Sequence, residues 1–260
     1  MFIISIRILL RVLMLLTVSY WVFTSDVFSS EDPTGDGDEI LKKMDTHKDF
    51  TSIQYSAVMK IHIKSKTRTK SLRVLSINDD ETRAVVEFTN PEDEGTKYLM
   101  IAKNLWIYFP EEEDVVKISG HMLKEGMMGS DVSYEDALES DALSKKYTVT
   151  LSGEESINNQ DCYVITLNAK VKKVPYYKRK MWVDKSSYVA LKEEMYAKSG
   201  KLLKVSNVLE MENINGRNIA TKVEMVNVLR KDSRTVFTMQ NIIFDKPLDD
   251  KIFTLRYLRK

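Results

Sequence analysis

The chain has 260 residues, with 39 Lys and Arg against 38 Asp and Glu and a formal net charge of +1. That balance supplies no overall basic field, which argues against nucleic acid as a partner. A single cysteine, Cys162, excludes an internal disulfide, and His47, His62 and His121 lie far apart without ligand-like spacing, so neither a metal nor a haem or iron–sulfur cofactor is expected.

In chain order, residues 1–29 read as a secretory signal peptide. Arg7 and Arg11 form a basic start, Val12 to Thr24 an uncharged apolar run, and Val27 and Ser29 suit cleavage before Ser30. The run falls short of the about 20 residues that a spanning helix needs. An uncleaved inner-membrane anchor is the alternative, because Phe2 to Leu10 is also apolar apart from Ser5 and Arg7. Removal of the segment takes away two basic residues and one acidic one, leaving 37 of each (39 − 2 and 38 − 1).

Residues 30–37 read as a flexible leader and 38–260 as a single domain. "DEILKKMDTHKDF" places Ile40, Leu41 and Met44 on one helical face. Strand patterns follow. In "AVMKIHIK", Ala57, Met59, Ile61 and Ile63 alternate with Val58, Lys60, His62 and Lys64, so His62 shares a face with lysines and reads as solvated. "SLRVLSI", "TRAVVEF", "TKYLMIAK", "LWIYF" and "VVKIS" continue the series, separated by short turn-forming segments.

The second half repeats the pattern from "KYTVTLSG" to "RTVFTMQNIIF". Cys162, in the alternating "DCYVITLNAK", reads as a buried free thiol. "KVKKVPYYKRK" (170–180) is locally basic; a solvated hairpin region is the plainer reading, contact with anionic headgroups the other. "AKSGK" and "INGRN" are suited to tight hairpins. About eleven or twelve strands are expected. An antiparallel sheet that long twists, and it must curl, close or split to bury one apolar face. The fold class is therefore mainly β with a few helices: a curved antiparallel sheet forming an unclosed half-barrel, its concavity filled by helices above an apolar cavity.

"EGMMGSDVSYEDALES" (125–140) interrupts the strands. Ser133 and Asp136 fit a capping box opening a helix over "YEDALES". Gly126 and Gly129 offer hinge freedom before it, while Met122, Met127 and Met128 supply adaptable apolar surface. Ser130 as a nucleophile would need a positioned base. His121 is the nearest histidine in sequence, and no G-x-S-x-G elbow is present. Asp131 and Asp136 lack the regular acidic spacing of an oxygen-ligand metal site. A lid is the stronger reading, and no catalytic residue is assigned.

The ordered series "DEILKKMD", "GTKYLMIAKNLWIYFPEEEDVVKIS", "GMMGSDVSYEDALES", "CYVITLNAK", "PYYKRKMWVD" and "FDKPLDDKIFTLRYL" resembles the LolA-like outer-membrane lipoprotein-sorting proteins over nearly all of residues 38–260. The resemblance implies a periplasmic, non-enzymatic carrier or chaperone holding the acyl chains of lipoproteins or other lipids, with membrane donor and acceptor proteins as partners. A lipid- or lipoprotein-sensing module acting through a protein partner is the alternative. Trp106, Tyr108, Met122, Met127, Met128 and Tyr134 are the candidates for lining or closing the cavity, although Trp106 and Tyr108 also suit ordinary core packing. Burial of about ten methylenes at roughly 0.8 kcal/mol each gives about 8 kcal/mol before ordering costs, or micromolar affinity, which suits cargo that must be released.

Overall fold

The computed structural model describes residues 34–260 apart from 47–49, 80 and 140. The signal peptide and most of the leader expected from the sequence lie outside the described residues. Helix α1 (Thr34–Thr46) comes first. It is followed by β1 (Ser52–Ile63), β2 (Lys66–Asn78), β3 (Thr82–Phe88), β4 (Lys97–Ile101), β5 (Asn104–Phe109) and β6 (Asp114–Ile118).

A crossover then contains two 3-10 turns, Gly120–Lys124 and Met127–Gly129, and two one-turn helices, α2 (Tyr134–Ala137) and α3 (Leu143–Lys146). The chain continues through β7 (Tyr147–Ile157), β8 (Gln160–Ala169), β9 (Lys178–Asp184), β10 (Ala190–Tyr196), β11 (Leu202–Ile214), β12 (Arg217–Asn227) and β13 (Ser233–Phe244). A 3-10 turn, Asp250–Ile252, and α4 (Leu255–Leu258) close it.

Among the described residues there are 13 strands in one sheet, ordered β6-β5-β4-β3-β2-β1-β13-β12-β11-β10-β9-β8-β7. The eleven or twelve expected from the sequence fall just short, because every quoted strand segment forms a separate strand. The pairings are antiparallel, and only β1 with β13 joins strands distant in sequence. The edges are β6 and β7, which do not pair with each other, so the sheet stays open as a half-barrel. Bulges at Gln54/Ser56, Leu151/Gly153, Val208/Glu210 and Met195/Tyr196 bend individual strands. At the β11–β12 hairpin, Asn215 (φ 53°) and Gly216 (φ 83°) supply the two positive φ values that a tight turn with the sheet's twist requires.

Strand register divides the sheet into two faces. Ile61 pairs with Thr235, Thr235 with Met225, Met225 with Ser206, Ser206 with Glu193, Glu193 with Met181 and Met181 with Ile165. Directly paired residues point the same way, so this row defines an inner face spanning half the sheet. The other half continues it: Ala57, Leu72, Val74, Val86, Tyr98, Leu105 and Ile107 form one core cluster with Met127 of the crossover. The crossover therefore straps the inner face from one free edge to the other. Helix α1 buries Ile40 and Leu41 against Val149, Ile165 and Met181 at the β7 end, as its one-sided apolar spacing requires.

The outer face has its own cover. Ile77, Val85 and Leu99 pack against Phe253 and Leu258 from the C-terminal segment, with Trp106 and Tyr108 joining them. Tyr257 adds a hydrogen bond from its hydroxyl to Glu87 at 2.9 Å. Cys162 is buried in a smaller cluster with Val164, Trp182 and Leu191.

Candidate functional site: an apolar cavity beneath a fastened lid

Between the inner face and the crossover lies a cavity of about 510 Å³, within the size range of small-molecule sites. Ile53 and Tyr55 of β1, Val74 of β2, Val86 of β3 and Met100 of β4 line one side. Val223 and Met225 of β12 and Phe237 and Met239 of β13 line the other. Met127, Val132, Ala137 and Glu139 of the crossover form the roof. Tyr55 and Phe237 meet edge to face at 6.5 Å, and burial pushes the Tyr55 phenol up to about 12, so it stays neutral.

The lid is a closed turn rather than a free flap. Met127 N–H donates to Val132 O at 2.8 Å, Ser130 N–H to Met127 O at 2.9 Å, and Tyr134 N–H to Glu125 O at 3.1 Å. Gly126, expected to be a hinge, has an ordinary φ of −72°. It serves space instead of torsion: a Cβ there would sit 2.0 Å from the Ser130 carbonyl oxygen. Gly129 has φ +73°, and a Cβ would lie 2.8 Å from the Arg68 guanidinium. Met128 also takes a positive φ of 52°.

Three carboxylates fasten the crossover to the sheet. Asp131, fully buried, accepts hydroxyl hydrogen bonds from Ser233 (2.7 Å) and Thr235 (2.8 Å) on β13. Beside it, Arg230 donates to the carbonyls of Gly129 (3.2 Å) and Ser130 (2.8 Å). Asp136 receives Lys204 from β11 and the Tyr176 hydroxyl, each at 2.5 Å. Burial alone would raise the Asp136 carboxyl; Lys204, Tyr176 and Ser133 outweigh it and hold the group below its ordinary range. Glu139 pairs with the buried Arg179 of β9, whose other side faces Glu193 at 3.0 Å and whose guanidinium lies over the rings of Tyr147 and Tyr176, 5.3 Å from each centroid.

These contacts account for the residues that raised a catalytic question. The Ser130 hydroxyl donates to Val132 O at 3.1 Å and accepts from Val132 N–H at 3.2 Å, a loop closed on itself. His121 is exposed in the first 3-10 turn. Asp131 and Asp136 are engaged by hydroxyls and a lysine. The capping box is present: Ser133 N–H donates to Asp136 Oδ2 at 2.8 Å, and Asp136 N–H to Ser133 Oγ at 3.4 Å. The helix it opens is a single turn, shorter than "YEDALES" suggested.

The candidate lining residues separate. Met127 is buried in the cavity roof. Met128 and Tyr134 pack on the inner-face core, Tyr134 with its ring 6.0 Å from that of Tyr98. Met122 is exposed. Trp106 and Tyr108 require correction: they point to the outer face against the C-terminal segment and do not line the cavity. Leu105 and Ile107, one residue out of phase with them, take the inner side. Sequence reasoning did not single out Tyr55, Met225, Phe237 and Met239; the alternation through 53, 55, 57 and 59 was the available signal for the first.

A family model described as "Uncharacterized protein" matches residues 80–260. No curated protein matches the sequence. Among solved structures, a DUF1329 family protein from Desulfovibrio piger is similar at 28% identity and a TM-score of 0.82, covering 87% of this chain and 99% of that one. A LolA superfamily protein from Nitrosomonas europaea is similar at 27% identity and 0.69, with 85% and 98% covered. A domain described as outer membrane lipoprotein-sorting, from Vibrio parahaemolyticus, shares the fold at 23% identity and 0.79, with 87% and 100% covered.

Proposed function

We propose, from its likeness to a LolA superfamily protein and from the fold it shares with a lipoprotein-sorting domain, that this chain, a member of the family whose model spans residues 80–260, is a non-enzymatic periplasmic carrier that holds the acyl chains of a lipoprotein or lipid in the inner-face cavity. The observation that carries this reading is the cavity itself: about 510 Å³ with mainly aliphatic, thioether and aromatic walls, beneath a lid fastened at Asp131 and Asp136 and packed on the core through Met127, Met128 and Tyr134. An acyl chain has no hydrogen bonds to satisfy, so binding rests on removing methylenes from water, at roughly 0.8 kcal/mol each. Met100, Met127, Met225 and Met239 give walls that adapt to chains of different length. Delivery requires the cargo to leave, and the lid supplies the step: breaking ion pairs at Asp136 or Glu139 opens the roof without unfolding the sheet.

The test is uptake of a fluorescent fatty-acyl probe by the exported protein and two variants. Ala84→Trp fills the cavity from β3 and should cut affinity at least tenfold. Trp106→Ala, on the outer face, should leave affinity unchanged in the folded protein. Equal affinity for all three would remove the cavity as the binding site.

A further inference from the structure

A second surface lies at one end of the sheet, apart from the cavity. Alternation of strand direction brings the connections β1–β2 (64–65), β12–β13 (228–232), β10–β11 (197–201) and β8–β9 (170–177) to the same end. Backbone hydrogen bonds tie them to one another or to the adjoining strand ends: Lys64 N–H to Asp232 O at 2.8 Å, Val228 N–H to Leu203 O at 3.0 Å, and Tyr177 N–H to Tyr196 O at 2.9 Å. Lys64, Lys172, Lys173, Lys198, Lys201 and Lys231 are all exposed along this ridge. Asp232 is the only carboxylate in the four connections.

The remaining connections at that end have the opposite character. The β3–β4 connection carries Glu92, Asp93 and Glu94, and the β5–β6 connection Glu111, Glu112 and Glu113. A chain with almost no net charge thus concentrates cations in one sector. That sector also exposes aliphatic side chains: Val171 is 40% exposed, Val228 42% and Leu229 53%. Apolar side chains at the tips of adjoining hairpins, surrounded by flexible lysines, have no use in the fold and a clear one at a bilayer surface.

We propose that this ridge docks the protein on an anionic phospholipid surface, with Val171, Val228 and Leu229 entering the headgroup layer and the lysines facing the phosphates. The chemistry favours lipid over nucleic acid, because both aromatic rings of the ridge are committed: Tyr176 is buried with its hydroxyl on Asp136, and Tyr177 donates its hydroxyl to Lys172 O at 3.2 Å and lies beneath Lys198. A stacking platform for bases is therefore absent from these connections. Arg230, which holds the lid carbonyls of Gly129 and Ser130, sits between Leu229 and Lys231, so docking and lid meet on one turn. The proposal goes beyond the carrier reading and depends on none of its steps.

The experiment is co-sedimentation of the exported protein with phosphatidylcholine vesicles, with and without phosphatidylglycerol, over a salt series, alongside the acyl-probe assay. Wild type should bind the anionic vesicles at least tenfold more strongly, with binding falling as salt rises. The double variants Lys172→Glu with Lys173→Glu, and Lys64→Glu with Lys231→Glu, should each lose at least tenfold. Leu229→Ser should weaken binding several-fold with an unchanged salt dependence. All three variants should keep wild-type probe uptake and thermal melting, which separates docking from folding and from the cavity. Equal binding to both vesicle types, undiminished binding of the charge variants, or equal competition by inorganic phosphate would overturn the proposal. Vesicle binding without probe uptake by any of the proteins would sustain the ridge and remove the carrier reading.

Discussion

Asp131 and Thr235 are bonded in both directions: the Thr235 hydroxyl donates to the Asp131 carboxylate at 2.8 Å, and the Asp131 backbone N–H donates to Thr235 Oγ1 at 2.9 Å. The pair joins residues 104 positions apart and ties the lid to the middle strand pair of the sheet. Asp131→Ala leaves two hydroxyls unpaired in a buried site, which costs about 2–3 kcal/mol. Asp131→Asn, which keeps an acceptor, should cost less. Chemical denaturation measures the loss, and limited proteolysis should show cleavage within 125–140 before the sheet is cut.

Gly126 and Gly129 predict different failures. At Gly126 a methyl group would overlap the Ser130 carbonyl, so Gly126→Ala must open the turn. At Gly129 the cost is a positive φ plus displacement of a flexible arginine. Both should lower stability, by roughly 1–3 kcal/mol for overpacking at Gly126 and about 1–2 kcal/mol for backbone strain at Gly129. Addition of Arg68→Ala should relieve part of the Gly129→Ala defect and none of the Gly126→Ala defect.

The Asp136–Lys204 pair sets the behaviour of the lid in acid. The folded-state pKa of Asp136 is depressed below its ordinary 3.8. Its stabilising contribution is therefore complete above the unfolded value, and it is lost as pH falls from about 4 through the lower folded value. Lid opening, followed by acyl-probe release, should begin only below about pH 4 in wild type. In Lys204→Met the lysine's lowering influence is gone while burial still raises the carboxyl, so release should begin at higher pH. An identical acid profile for the two proteins would remove this pair from lid closure.

The outer face should respond in stability alone. Phe253→Ala removes a buried ring packed with Val85, Leu99 and Leu258 and should cost about 3–4 kcal/mol. Acyl-probe affinity should be retained under conditions where the variant stays folded. Paired thermal melts and binding titrations distinguish this from a cavity residue such as Met239.

Much of this architecture is legible in the sequence, within limits that have physical causes. The alternation through Ala57, Met59 and Ile61 identifies one face of β1, and those residues are buried as expected. "LWIYF" is apolar on both sides, because Leu105 and Ile107 face the cavity side while Trp106 and Tyr108 meet the C-terminal segment. A strand covered on both faces carries no polarity that says which face is inner. Ser133 and Asp136 are three residues apart, and their capping box was readable. Their partner Lys204 lies 68 positions beyond Asp136, on β11, and the pairing exists only once the crossover lies across the inner face. The clustering of lysines was hidden for the same reason. "KVKKVPYYKRK" looks like an isolated basic hairpin until the topology sets it beside three other connections.

The most direct test of the carrier reading is native mass spectrometry followed by organic extraction, on protein purified from an exported form without detergent. A carrier gives a co-purifying phospholipid or acylated peptide at up to one per chain, and the adduct is lost in Ala84→Trp and retained in Trp106→Ala. An empty protein that also fails to take up a fatty-acyl probe would contradict it.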